Sequence, residues 1–145
     1  MFKAFSFGNV VWTVIVLFPA LLPAQTYRSH TMDGIYEVTI AREALERSPA
    51  WAESDPHPPF SARRAISLAS TLTEKKLFGQ NDKDYNPWTI DSLTIKRASK
   101  DKWYGLVKYE CLPKGGFGGS PFVLTLVVLM DGTVPEPKKV REQNY

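Results

Sequence analysis

Residues 121–130, PFVLTLVVLM, form the most apolar run of the chain beyond its first two dozen residues. The run is short, rich in Val and Leu, and bounded by a glycine-rich stretch and by Asp131-Gly132, which is the pattern of a strand inside a sheet. The rest of the chain must supply its neighbours. WYGLVKYECL (103–112) puts Trp103, Val107, Tyr109 and Cys111 on one face and Tyr104, Leu106, Lys108, Glu110 and Leu112 on the other. WTIDSLTIKR (88–97) reads as a strand whose apolar phase changes, with Trp88 and Ile90 at even positions and Leu93 and Ile95 at odd ones. A bulge near Asp91 and Ser92 would bring both halves onto one face. Upstream, IYEVTIA alternates Tyr36, Val38 and Ile40 against Glu37 and Thr39, a short half-buried strand. Asp131-Gly132 marks a tight turn, after which Thr133 and Val134 can pair only briefly before Pro135 and Pro137.

LERSPAWAESDPHPPF (45–60) carries Pro49, Pro56, Pro58 and Pro59. Proline removes a backbone donor and restricts the residue before it, so no regular element crosses this stretch and it reads as an ordered or semi-ordered linker. A helix begins directly after it. Ser61 is a good N-cap, Phe60 can staple onto Ala65, and Ala62, Ala65, Ile66, Ala69, Leu72 and Thr73 recur at three- and four-residue spacing; Gly79 would close the helix near Leu77 and Phe78. The order of elements implies an α+β fold with one helix packed across a three- to four-stranded antiparallel sheet. The expected divisions are an N-terminal signal segment at 1–24, a strand and proline-rich linker at 25–59, the helix and sheet at 60–135, and a polar tail at 136–145.

The first two dozen residues have the plan of a secretory signal: a short start with Lys3, an apolar run from Val10 to Leu22, then Pro23 and Ala24. The run is about thirteen residues and is interrupted by Pro19, whereas a bilayer-spanning helix needs roughly 20. Cleavage would leave Gln25 at the new N-terminus and a secreted or periplasmic protein; an uncleaved N-terminal membrane anchor is the competing reading. About 121 residues then remain, enough for one core. They carry seventeen Lys and Arg against fifteen Asp and Glu, scattered rather than striped, so neither nucleic acid nor an anionic membrane is called for as a partner. With Cys111 as the only cysteine, no internal disulfide can form, and stability has to come from packing.

The segment FSARRAISLAS resembles the helix start of PepSY-type domains in Phe60, Ser61, Ala65, Ile66 and Ala69. WTIDSLTI, KWYGLVKYE and LVVLMDGTV follow in the order of the three-stranded sheet of such domains, over residues 58–134. The resemblance implies a small, exported, cystatin-like accessory fold without a catalytic constellation, some of whose relatives accompany or restrain peptidases. Arg63 and Arg64 depart from it, standing in the first helical turn where acidic residues are usual, and the glycine-rich bend is longer than a minimal hairpin.

Candidates for chemistry are few. Cys111 lacks a local base, since His30 and His57 lie in polar flanking segments, and its alternation with Tyr109 and Val107 makes it a small apolar filler. Two separated histidines and one cysteine do not make a metal site, and Asp82 and Asp84 lack the glycine and distal glutamate of a calcium loop. In CLPKGGFGGSP (111–121), Lys114 precedes the glycines and a strand follows them, the reverse of a phosphate loop. No catalytic residue, cofactor or metal is expected. The binding candidates are Ser61, Arg63 and Arg64, whose helix N-terminus could hold an anion or whose arginines could simply point into water or pair with Glu53 or Asp55; Tyr104, since either it or its neighbour Trp103 must stand on the face away from the helix; and Phe117, at the tip of the glycine-rich loop. That far face is either covered by the N-terminal segment or offered to a partner. The chain therefore reads as an exported, non-enzymatic accessory or binding module acting through a sheet face or edge on an envelope or secreted protein or peptide. The alternative is a regulator or inhibitor of an exported peptidase.

Overall fold

The computed structural model describes residues 25–76, 84–115 and 120–140. The apolar run forms strand β5 (Phe122–Leu129). It pairs antiparallel with β4 (Trp103–Cys111) over eight positions, from Tyr104↔Leu129 to Cys111↔Phe122. Its other side meets β1 (Gln25–Thr31), and so it is interior, as its composition requires. β1 pairs along its length with β2 (Gly34–Ile40), β2 with β6 (Lys138–Val140), and β4 with β3 (Thr89–Arg97). The result is a six-stranded antiparallel sheet ordered β3-β4-β5-β1-β2-β6, with helices α1 (Arg42–Arg47) and α2 (Ala62–Lys76).

The α+β class holds, but the sheet has more strands than the expected three to four and there is a second helix. Each addition carries a weak sequence signal. In β1 the two innermost positions are Ser29 and Thr31, so no apolar alternation marks the strand. The expected linker is entered by α1, a helix of six residues that ends at Ser48, before Pro49. The expected polar tail contributes β6, whose three residues pair with Ile35, Tyr36 and Glu37.

Both faces of the central strands are covered. On one face, α2 sets Ala65 and Ala69, each fully buried, against Val107, Tyr109, Leu124, Leu126 and Val128, with Phe60 in the same cluster. Alanine at these two positions lets the helix come close to the sheet. On the other face, Tyr104, Leu106, Val127 and Leu129 pack against Val38 and Ile40 of β2 and Leu45 of α1. The β1–β2 hairpin reaches this face because the sheet turns a corner at β1. Only His30↔Val123 pair between β1 and β5, and the buried Ser29 Oγ accepts the N–H of Thr125 at 2.8 Å, taking a bond that a continued ladder would have made. Of the two readings of the far face, cover by the N-terminal segment is the one seen.

The bulge also falls where the change of apolar phase places it. Ile90 pairs with Tyr109 and Leu93 with Val107, and the register shifts between Ile90 and Ser92. Both apolar halves of β3 thus share the α2 side of the sheet. The proline-rich stretch is ordered and strapped across the β3–β4 turn. Trp51 N–H donates to Asp101 O at 2.8 Å, Trp103 Nε1–H donates to Trp51 O at 2.9 Å, and the two indoles lie 5.0 Å apart. From that turn Lys102 Nζ donates to the carbonyls of Glu46 and Ser48 at 2.9 and 2.5 Å, closing the C-terminal end of α1.

Candidate interaction edge

With both faces of the central strands covered, the β3 side of the sheet carries the most exposed strand surface. β3 bonds to β4 on one side, and no other strand among the described residues takes its outer side. Seven of its nine residues are exposed and none is buried. Two large aliphatic side chains stand there, Ile90 at 43% and Ile95 at 38% exposure. The far edge of the sheet, by contrast, ends in the three residues of β6.

The two ends of β3 carry opposite charge. At its start, Asp91 Oδ2 lies 3.1 Å from Lys108 Nζ, which also reaches Glu110 Oε1 at 2.7 Å. Hydrogen bonds from Lys108 and then Ser92 hold the Asp91 carboxyl below the usual aspartate range, and bonds to Glu110 and then Asp91 raise the Lys108 ammonium. At its finish, Lys96 lies over the Tyr27 ring at 5.7 Å, while Arg97 lies over Trp103 at 5.2 Å and pairs with Glu53 at 3.3 Å. The sides are set by the pairing: Leu93, Ile95 and Arg97 oppose Val107, Gly105 and Trp103 on the α2 side, whereas Ser92, Thr94 and Lys96 oppose Lys108, Leu106 and Tyr104 on the hairpin side.

The residues singled out from sequence are not brought together. Ser61 caps α2 as expected, its Oγ accepting Arg64 N–H at 3.3 Å and its carbonyl accepting Ala65 N–H at 3.1 Å. Of the two readings of Arg63 and Arg64 as surface arginines, exposure to water is the one seen and pairing with Glu53 or Asp55 is not: Glu53 is taken by Arg97, and Asp55 Oδ2 accepts Ala52 N–H. Arg64 lies instead near the Gly132 turn. Tyr104 does face away from α2, but it does not line an open face, being 1% exposed beneath the hairpin. Its hydroxyl donates to Gln25 Oε1 and lies 2.6 Å from the Tyr27 hydroxyl. Burial first, then the Tyr27 hydroxyl, push its ionisation well above the ordinary tyrosine value. Phe117, Asp82, the Gly79 helix stop and the segment 1–24 lie outside the described residues.

Cys111 is the buried filler expected of it, fully inaccessible and with its Sγ donating to Asn86 O at 3.0 Å. His30 does not address it. His30 pairs with Val123, which pairs with Glu110, so it stands one strand position off the Phe122↔Cys111 pair, and neighbours along a strand point to opposite faces.

One polar cluster carries no sequence signal. Asp33 Oδ2 accepts the Tyr36 hydroxyl at 2.7 Å and Lys139 Nζ at 3.4 Å, while Asp33 Oδ1 accepts the Thr31 hydroxyl at 2.6 Å. It fastens β6 to the β1–β2 turn beside a shallow cavity of about 600 Å³. The carboxylate has its partners, so the cluster is a clasp. Spacing along the chain could not reveal it, because Lys139 joins from 106 positions away.

Among the described residues, no group of three metal-ligating side chains gathers and no helix is long and apolar enough to cross a membrane. Comparison of the chain with protein-family models, with curated proteins and with solved structures finds no match to any of them.

Proposed function

We propose that the chain is an exported, non-enzymatic accessory or binding module that takes an extended segment of an envelope or secreted protein or peptide alongside β3. The observation that carries this reading is the nine-residue edge, exposed at seven positions, in a sheet whose central faces are closed. An unpaired strand edge offers a row of backbone donors and acceptors to an incoming strand, and alternate side chains set its preference. Here Leu93 and Ile95 favour an aliphatic residue on the α2 side, and Lys96 and Arg97 favour acidic residues toward the end of β3. The buried, hydrogen-bonded Cys111 supports a non-enzymatic role, since a nucleophilic thiol needs access and a base. Regulation of an exported peptidase is the special case in which the captured segment belongs to that enzyme, and only the PepSY-type resemblance raises it.

The test is a photo-crosslinking residue placed at Thr94 in the full chain during export, with one at Thr71 on the exposed side of α2 as control. The expected result is an adduct with another protein from Thr94 and none from Thr71. Equal adducts at both positions, or none beyond the chain itself, would remove the reading.

A further inference from the structure

We propose that the resting occupant of the β3 edge is a second copy of the chain, with two β3 strands paired antiparallel about a two-fold axis at Thr94. The idea rests on β3 being open to strand addition, as the proposed function does, and it adds which strand fits and how it regulates the site.

A two-fold axis perpendicular to a sheet carries each face onto itself, so opposed residues must come from the same face. This leaves few registers. With the axis at Thr94, Leu93 of each copy opposes Ile95 of the other, and four aliphatic side chains form one patch on the α2 side. On the hairpin side Ser92 opposes Lys96, which keeps the two Lys96 ammonium groups apart. The acidic Asp91 end of each strand then runs beside the basic Arg97 end of its mate. An axis at Leu93 would instead bring Ile95 to the bulge, where Asp91 turns its carboxylate to Lys108 and leaves Ile95 without an aliphatic partner, and one at Ile95 would set Leu93 against Arg97. Only the Thr94 register matches both apolarity and charge, and charges placed this way fix register and orientation.

The partner strand and a second β3 compete for the same backbone groups. Self-pairing therefore shields the edge from aggregation and keeps it in reserve until a better-matched segment displaces it.

Residues opposed at the axis of an antiparallel pair have Cα atoms about 4.5–5.5 Å apart, within the span of a disulfide. Thr94→Cys in the full chain should therefore cross-link to a dimer on mild oxidation, while Ile90→Cys, which opposes position 98 in this register, should not. Cys111 does not compete, being buried and bonded to Asn86 O. In sedimentation the wild-type chain should move toward twice the single-chain mass as its concentration rises. Ile95→Lys should stay at the single-chain mass with unchanged circular dichroism, since Ile95 is 38% exposed and its loss leaves the core alone. A wild type of single-chain mass at every concentration, or cross-linking through Ile90→Cys as efficient as through Thr94→Cys, would overturn the proposal. The two readings fail separately. A monomer that still forms adducts with another protein at Thr94 removes self-pairing alone, and a register-specific dimer with no such adduct removes the proposed function alone.

Discussion

Tyr36 donates its hydroxyl to Asp33 and lies beneath Lys139, and the ionisation of Tyr36 and Asp33 is tied to folding. Burial, and then the bond to the Asp33 carboxylate and its charge, push the Tyr36 phenol up to about 12. Asp33 is pushed up by burial, yet the bonds from Thr31 and Tyr36 and the Lys139 charge outweigh this and hold it below the ordinary value of 3.8. An unfolded tyrosine ionises near pH 10, so the stability these neutral phenols contribute is complete below about pH 10 and is lost as pH rises through the folded value. Asp33 acts in the opposite sense: its contribution is complete above the unfolded value and is lost as pH falls through the lower folded one. Denaturant midpoints measured from pH 4 to 12 should therefore fall on the alkaline side, and Tyr36→Phe should make that fall shallower while costing about 1 kcal/mol at pH 7. Equal alkaline slopes in both proteins would break the link. Backbone geometry separates two glycines at the same scale. Gly34 has φ +137° and Lys139 Cε would lie 2.8 Å from an added Cβ, whereas at Gly105 the nearest neighbour is Leu93 Cδ1 at an ordinary 3.5 Å. Gly34→Ala should lose at least about 1 kcal/mol and Gly105→Ala should be neutral or gain a few tenths, as thermal melts can read. Little of this was legible in sequence, because Tyr104 meets Tyr27 from 77 positions away and nothing in the spacing of either announces the other.

Elements whose partners are local were legible, and those whose burial depends on distant partners were not. The bulge in β3 was readable because period-two alternation is strict and a one-residue slip moves every side chain to the other face. Ser61 was readable as a cap because its acceptor serves an N–H three residues away. β1 was not, since its inward Ser29 makes a hydrogen bond to Thr125 that only the folded corner creates. Deleting Asp91 should test the bulge directly. Without the extra residue, either Thr89 and Ile90 exchange faces or the rest of β3 slips against β4. Hydrogen exchange should show lost protection across β3 and the paired side of β4, with the β1–β2 hairpin retained. Unchanged protection at Leu93 and Ile95 would mean that the bulge does not set the register. In α2, Arg63 and Arg64 oppose the helix dipole without an ion-pair partner among the described residues. The Arg63→Glu, Arg64→Glu double variant should therefore raise stability by about 0.6–2 kcal/mol at low salt, an effect that shrinks as salt is added.

At the scale of the whole molecule, the question is whether two cores on opposite faces of one sheet unfold as one. β5 supplies both: Leu124, Leu126 and Val128 face α2, while Val127 and Leu129 face the β1–β2 hairpin. Neither cluster can lose its cover without stripping one side of strands that remain in the other, and the cost of exposing that apolar surface couples them. The strap adds to the coupling, because Trp51 and Trp103 pack on the α2 side while Lys102, next in the chain to Trp103, holds the end of α1 and so the Leu45 side. Leu126→Ala and Leu129→Ala remove the same atoms from opposite faces, each at a fully buried position. Each should cost about 2–5 kcal/mol. If the molecule is one cooperative unit, both substitutions lower the melting temperature by similar amounts, and tryptophan fluorescence moves together with far-ultraviolet circular dichroism in each. Trp51, Trp88 and Trp103, the tryptophans among the described residues, all pack against the α2-side cluster, so their fluorescence reports that side selectively. A Leu129→Ala protein that lost circular dichroism in an early step with its fluorescence unchanged would show the hairpin to be a separately melting cover over an otherwise intact sheet. Tyr104, buried beneath that hairpin, would then become reachable before the rest of the fold gave way.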